Sequence, residues 1–272
     1  MYSLLFSILM FFSCSNRQNE PATKEQNNSP VIDHDHYDTV ARTIHVFVAL
    51  CDNKYQGIVP VPPAIGNGQD PNNNLYWGCG YGVRSYFKKS KSWKLIKQYK
   101  IDSTIMERLV FKNTRANYYL VADAYNGKEI RLCTSAFLKS CAGQTKDTLH
   151  VNGTTIRTNG NSKLLAYIGH DGFMDFNLAG SFQNADNKTR DAIILACISK
   201  KYFLPYLTQT KANPIVWSTG LMSPEAYTLH DAIDAYINNE PATNVRNSAA
   251  AAYSKYQHCT QKAARNLIVS GW

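Results

Sequence analysis

Two apolar runs each deliver a reactive side chain. Leu164-Leu165-Ala166-Tyr167-Ile168-Gly169 is followed by His170-Asp171-Gly172, and Ile193-Ile194-Leu195-Ala196 by Cys197. A thiol is mostly protonated at neutral pH and becomes a useful nucleophile when an imidazole takes its proton or stabilises its thiolate. Should the two runs be neighbouring parallel strands, their carboxyl ends set His170 and Cys197 side by side. The backbone N–H groups of Gly172 and Cys197 would then be placed to stabilise an oxyanion. That chemistry is nucleophilic hydrolysis, and it calls for no metal or cofactor.

The elements that must carry this pair read as an α/β chain. Thr43 to Leu50, Asn117 to Ala122, Lys163 to Gly169, Asp191 to Cys197 and Pro214 to Thr219 are short, nearly continuous apolar runs, the pattern of strands covered on both faces. Helical patterns run from Tyr81 to Lys88, Lys128 to Cys141, Pro224 to Asn238 and Asn244 to Gln257. Ser223-Pro224-Glu225 reads as a helix start, with serine as cap and proline at the first helical position. The expectation is a three-layer α/β sandwich with a mostly parallel central sheet, in which ligands bind beyond the carboxyl ends of the strands.

An apolar strand ending in His and Gly, then a second ending in Ala-Cys, resembles the caspase, legumain and gingipain group of cysteine peptidases. Here Asp171 stands between the histidine and the glycine. The resemblance implies a caspase-like sheet, with Cys197 as nucleophile, His170 as base and then acid, and Gly172 as oxyanion donor. Asn213 to Thr219 matches the further strand of legumain-like chains, which lies beside the substrate, so Trp217 and Ser218 are implied substrate contacts on an edge strand. A peptide or protein substrate follows. The alternative is a catalytically inactive binding protein on the same fold, holding a peptide, glycan or protein partner.

Outside this core, residues 2 to 12 form an apolar run too short to span a bilayer, ending at Phe12-Ser13-Cys14-Ser15. This resembles the lipobox of bacterial lipoproteins, which implies a signal peptide over 1–13, a lipid on the Cys14 thiol and an envelope location facing periplasm or exterior. Residues 14–40 read as a polar tether, and 41–272 as a single domain. His34 and His36 in the tether are a weak metal pair without a fixed second shell. The long segment between Asn53 and Tyr81 leaves the first strand on the face of the dyad, so Asp52, Asn67, Tyr76 and Trp77 are candidates to wall a substrate cleft.

Composition bounds the rest. The chain has 272 residues, 44% hydrophobic and 18% charged, enough for a large core and incompatible with a disordered or disulfide-stapled mini-protein. Of seven cysteines, one serving as anchor leaves six, among which Cys197 is wanted as a free thiol. The net charge of +9 is concentrated between Arg84 and Arg115, where Trp93 and Tyr99 interrupt the lysines. That stretch reads as a solvated helix and loop rather than a nucleic-acid surface. No G-x-S-x-G, H-E-x-x-H or paired-cysteine zinc spacing occurs.

Overall fold

The computed structural model describes residues 41–272. The signal-peptide, tether, lipidation and His34/His36 expectations lie outside the described residues.

Five apolar runs form the parallel centre of one sheet: β1 (Arg42–Ala49), β4 (Tyr118–Tyr125), β7 (Leu164–Gly169), β8 (Asp191–Leu195) and β9 (Asn213–Ser218). Nearly every residue in them is buried, as continuous runs covered on both faces require. Three antiparallel strands extend this centre: β2 (Trp93–Tyr99) and β3 (Ile105–Asn113) on one side and β10 (Ile268–Val269) on the other. The order is β10-β9-β8-β7-β1-β4-β3-β2.

Helices cover both faces. Helices α1 (Val83–Lys89), α4 (Ala226–Ile237), α5 (Ala242–Tyr256) and α6 (Gln261–Leu267) bury Phe87, Ile233, Val245 and Ala264 with Val46, Ala166 and Ile193 of the sheet. On the other face α2 (Ile130–Cys141) and α3 (Ser199–Thr210) pack Phe137, Phe203 and Leu207 against Phe47, Tyr167 and Trp217. A small hairpin, β5 (Lys146–Val151) with β6 (Thr154–Asn159), shields Val110 and Val121 further along. The architecture is therefore α/β with helices on both sides of a mostly parallel sheet.

Several local expectations are corrected. The basic stretch holds α1 and the outer strands β2 and β3, where a helix and loop were expected. Lys94 and Lys97 lie exposed on β2, the outermost strand, where charge discourages pairing with another chain. Helix α3 was not expected, because Pro205 lies inside it. Helix α4 begins at Ala226 with an extended Glu225 before it, and the Ser223 hydroxyl donates to Gln257 instead of capping the helix.

Buried charge in the sheet is paired. Arg108 Nε donates to Asp123 Oδ1 at 2.5 Å and its Nη2 to Oδ2 at 2.6 Å, while His45 Nε2 lies 2.9 Å from the same Oδ2. Asn159 N–H donates to His45 Nδ1 at 3.0 Å, so Nε2 carries the proton that faces Asp123. Burial opposes the Asp123 carboxylate, yet the Arg108 and His45 bonds outweigh it and hold its pKa below the ordinary value. The network ties the β5–β6 hairpin to the sheet. It is structural.

Candidate active site

Strands β7 and β8 are parallel neighbours, with Ile168 opposite Leu195 as their last paired residues. His170 and Cys197 each lie two residues beyond that pair. Both line one cavity of about 440 Å³, and the segment after β1 walls it with Ile58, Val59, Pro60, Val61, Leu75 and Tyr76.

Backbone geometry turns each chain sharply at this edge. Gly169 has φ +137°, and a Cβ there would stand 2.2 Å from the Ala49 carbonyl oxygen, so a side chain is excluded where β7 meets β1. After Cys197, Ile198 adopts φ 51°, an uncommon conformation for a β-branched residue, which carries strain of about 1–3 kcal/mol. Its N–H is held by Gly220 O at 2.8 Å. Helix α3 starts immediately afterwards, so Cys197 sits on a tight strand-to-helix turn.

Ser218 and Ser199 brace that turn from below. The Ser218 hydroxyl donates to Ala196 O and accepts from Ser199 N–H at 3.1 Å. The Ser199 hydroxyl donates to Ile194 O at 2.9 Å and accepts from Ser218 N–H at 2.9 Å. Replacing Ser218 by alanine leaves the Ser199 N–H and the Ala196 carbonyl unpaired in a buried place, an expected cost of about 1–3 kcal/mol in urea unfolding. An unchanged midpoint would show that the brace contributes nothing.

The histidine is oriented by a residue that sequence reasoning missed. His170 Nε2 lies 2.7 Å from Asp175 Oδ2, which also accepts the Gly57 N–H at 3.0 Å. The carboxylate therefore fixes the ring and ties it to the loop after β1. An acid five positions after the histidine, across a glycine turn, was the available signal. With a carboxylate facing Nε2, that nitrogen carries the proton and Nδ1 keeps its lone pair. No described residue donates to Nδ1.

Cys197 has different neighbours. Its thiol donates to Met222 O at 3.4 Å, and Met222 N–H approaches the sulfur at 3.4 Å. Among the described residues no hydrogen bond joins it to His170. Burial pushes the thiol pKa above its ordinary value, the Met222 bond offsets part of this, and the Asp171 charge adds to it. The Cys197 N–H meets no acceptor among the described residues.

The structure does not bring Gly172, Trp217 or Ser218 to the cavity. Gly172 is buried in a 3₁₀ turn, where a Cβ would stand 2.5 Å from the Phe176 ring and 3.1 Å from Thr134 Oγ1. Trp217 points to the opposite face of the sheet, because successive residues of β9 alternate. There its indole donates to Gly271 O at 2.9 Å. Ser218 is occupied by the brace. β9 is not an edge strand, since β10 pairs with it at Trp217 and Ser218, and that closes the expected peptide-pairing edge.

The loop candidates divide. Asp52 is buried and spends its carboxylate on the Lys54 and Tyr55 N–H groups and on Gln69. Trp77 is core, its indole donating to Glu107. Asn67 accepts the Asn74 amide and lies off the cavity wall, whereas Tyr76 is part of that wall.

All six cysteines among the described residues are free, and Cys51, Cys133 and Cys141 are buried. Among the described residues no group of three or more His, Cys, Asp or Glu is placed to hold a metal ion, and no helix is long and apolar enough to cross a membrane. Comparison of the chain with family profiles, with curated proteins and with solved structures finds no match in any of the three.

Proposed function

We propose that this cavity is the active site of a cysteine hydrolase acting on a peptide or protein, with a caspase-like sheet as its frame. The observation that carries the reading is the convergence of His170, oriented by Asp175, and Cys197 in one cavity at the carboxyl ends of adjacent parallel strands. Cys197 Sγ attacks the carbonyl carbon while the thiol proton passes to His170 Nδ1. The carbonyl oxygen gains negative charge, and the unclaimed Cys197 N–H is the donor for it. The same proton then goes to the leaving amine as the carbon–nitrogen bond breaks, leaving a thioester. Water, deprotonated by His170, releases the acid and restores the thiol.

Because burial keeps the resting thiol protonated, the reaction begins from the thiol and depends on His170 as base. The reading includes the envelope tether: cleavage after Ser13 and acylation of Cys14 would hold the domain at a membrane surface.

The test is covalent capture. A peptidyl acyloxymethyl ketone is expected to mark Cys197, and not the partly exposed Cys79 or Cys259, in a peptide-mapping mass spectrum. Equal marking of the three thiols would sink the catalytic reading. It would favour the alternative of an inactive peptide-binding protein, which the missing His170–Cys197 hydrogen bond supports.

A further inference from the structure

Apart from the dyad, Ser223, the Tyr76 phenol and two glycines, the cavity wall is apolar except at one residue. Val59, Leu221 and Met174 are 86%, 68% and 39% exposed, so they offer hydrocarbon surface to an entering group. The exception is Glu225, immediately before α4. Its Oε2 accepts the Tyr227 hydroxyl at 2.9 Å and the Gln257 amide at 3.2 Å. Gln257 also donates to the Tyr227 hydroxyl at 2.6 Å. Both partners are neutral. Oε1 receives no hydrogen bond from a described residue, and no Lys or Arg lines the cavity.

A half-buried carboxylate held only by neutral donors is incompletely compensated, and burial accordingly lifts the Glu225 pKa above its ordinary value, the Tyr227 bond offsetting part of the rise. An apolar ligand would desolvate it further. The complementary group is a cation on a hydrocarbon stem, its stem along Ile58, Val61 and Leu221 and its head at Oε1.

We propose that Glu225 is a specificity-determining residue and that the cavity takes a lysine or arginine side chain, so the substrate is a peptide with a basic residue next to the carbonyl attacked by Cys197. The attack rests on the catalytic reading above, whereas binding of the basic side chain does not. The test therefore separates them. In a Cys197→Ala chain, binding of Nα-acetyl-arginine methylamide, Nα-acetyl-lysine methylamide and Nα-acetyl-norleucine methylamide is measured by calorimetry or NMR titration. At least one basic compound is expected to bind about tenfold or more tighter than norleucine, the span of one charge-assisted bond. Glu225→Gln should erase that difference and leave norleucine binding unchanged, which also reports that the cavity is intact. Equal binding of all three compounds, or a preference that survives Glu225→Gln, overturns the proposal. In the unaltered chain the same three side chains are then presented on acyloxymethyl ketones. Basic-selective binding without a Cys197 adduct would leave the Glu225 assignment standing and remove the catalytic one.

Discussion

Replacing His170 by alanine is expected to slow acylation of Cys197 by a peptide substrate about 10²–10⁴-fold at pH 7, the usual contribution of a positioned acid–base group. The thiol is held protonated by burial, so without a base almost none of it is nucleophilic at that pH. Raising the pH should partly rescue the variant, because hydroxide then forms the thiolate that the imidazole no longer generates. Asp175→Asn gives the companion result. The same oxygen position receives the Gly57 N–H, so an amide turns its oxygen there and keeps the Nε2–H bond, but it lacks the negative charge that stabilises the ring once the ring takes the thiol proton. Its loss should be about 10-fold or more, with unfolding little changed because Asp175 is exposed. Stopped-flow or discontinuous labelling rates across pH 6–10 measure both. Unchanged rates in His170→Ala would exclude the dyad as a working unit.

Asp171→Asn is expected to flatten the dependence of stability on pH. Asp171 is fully buried; Oδ1 accepts the Phe173 N–H at 3.0 Å and Oδ2 has no partner. Burial pushes its pKa up to about 7, the Phe173 bond opposes this and Asp175 adds to it. The folded state therefore keeps a proton that the unfolded chain gives up near the ordinary carboxylate value. The contribution is fully present below that value and falls as pH rises through about 7, a loss on the order of 4 kcal/mol when complete. The amide cannot ionise. The variant should match the parent near pH 4 and exceed it clearly at pH 8 in urea unfolding, and parallel pH profiles for the two chains would refute this. Removing the charge also eases ionisation of Cys197, so thiol labelling at pH 8 should rise in the same variant.

What could be read in advance follows from burial. Strands β1, β4, β7, β8 and β9 are covered on both faces, and solvent exclusion imposes an unbroken apolar run on each. Strands β2 and β3 escaped because Lys94 and Lys97 sit at a solvent edge, while Glu107 and Arg108 are buried only by virtue of partners distant in sequence. In α3, Pro205 masks the helical pattern, and Ile198 in place of a capping residue removes the start signal.

At the site, the sequence by itself determined that a histidine and a cysteine end two buried strands, since an apolar run followed by a glycine turn is a local pattern. It determined neither the orienting group nor the substrate wall. Asp175 became the histidine's partner through the fold of the turn, and Glu225 faces the cavity because the chain returns from β9 to α4 beside Cys197. Trp217 and Ser218 were turned away for the same kind of reason. Strand alternation sent the indole to the other face, and β10, from the far end of the chain, took the edge that a peptide would have used. Side-chain direction and edge occupancy depend on elements that meet only after folding, and only the tertiary structure decided them.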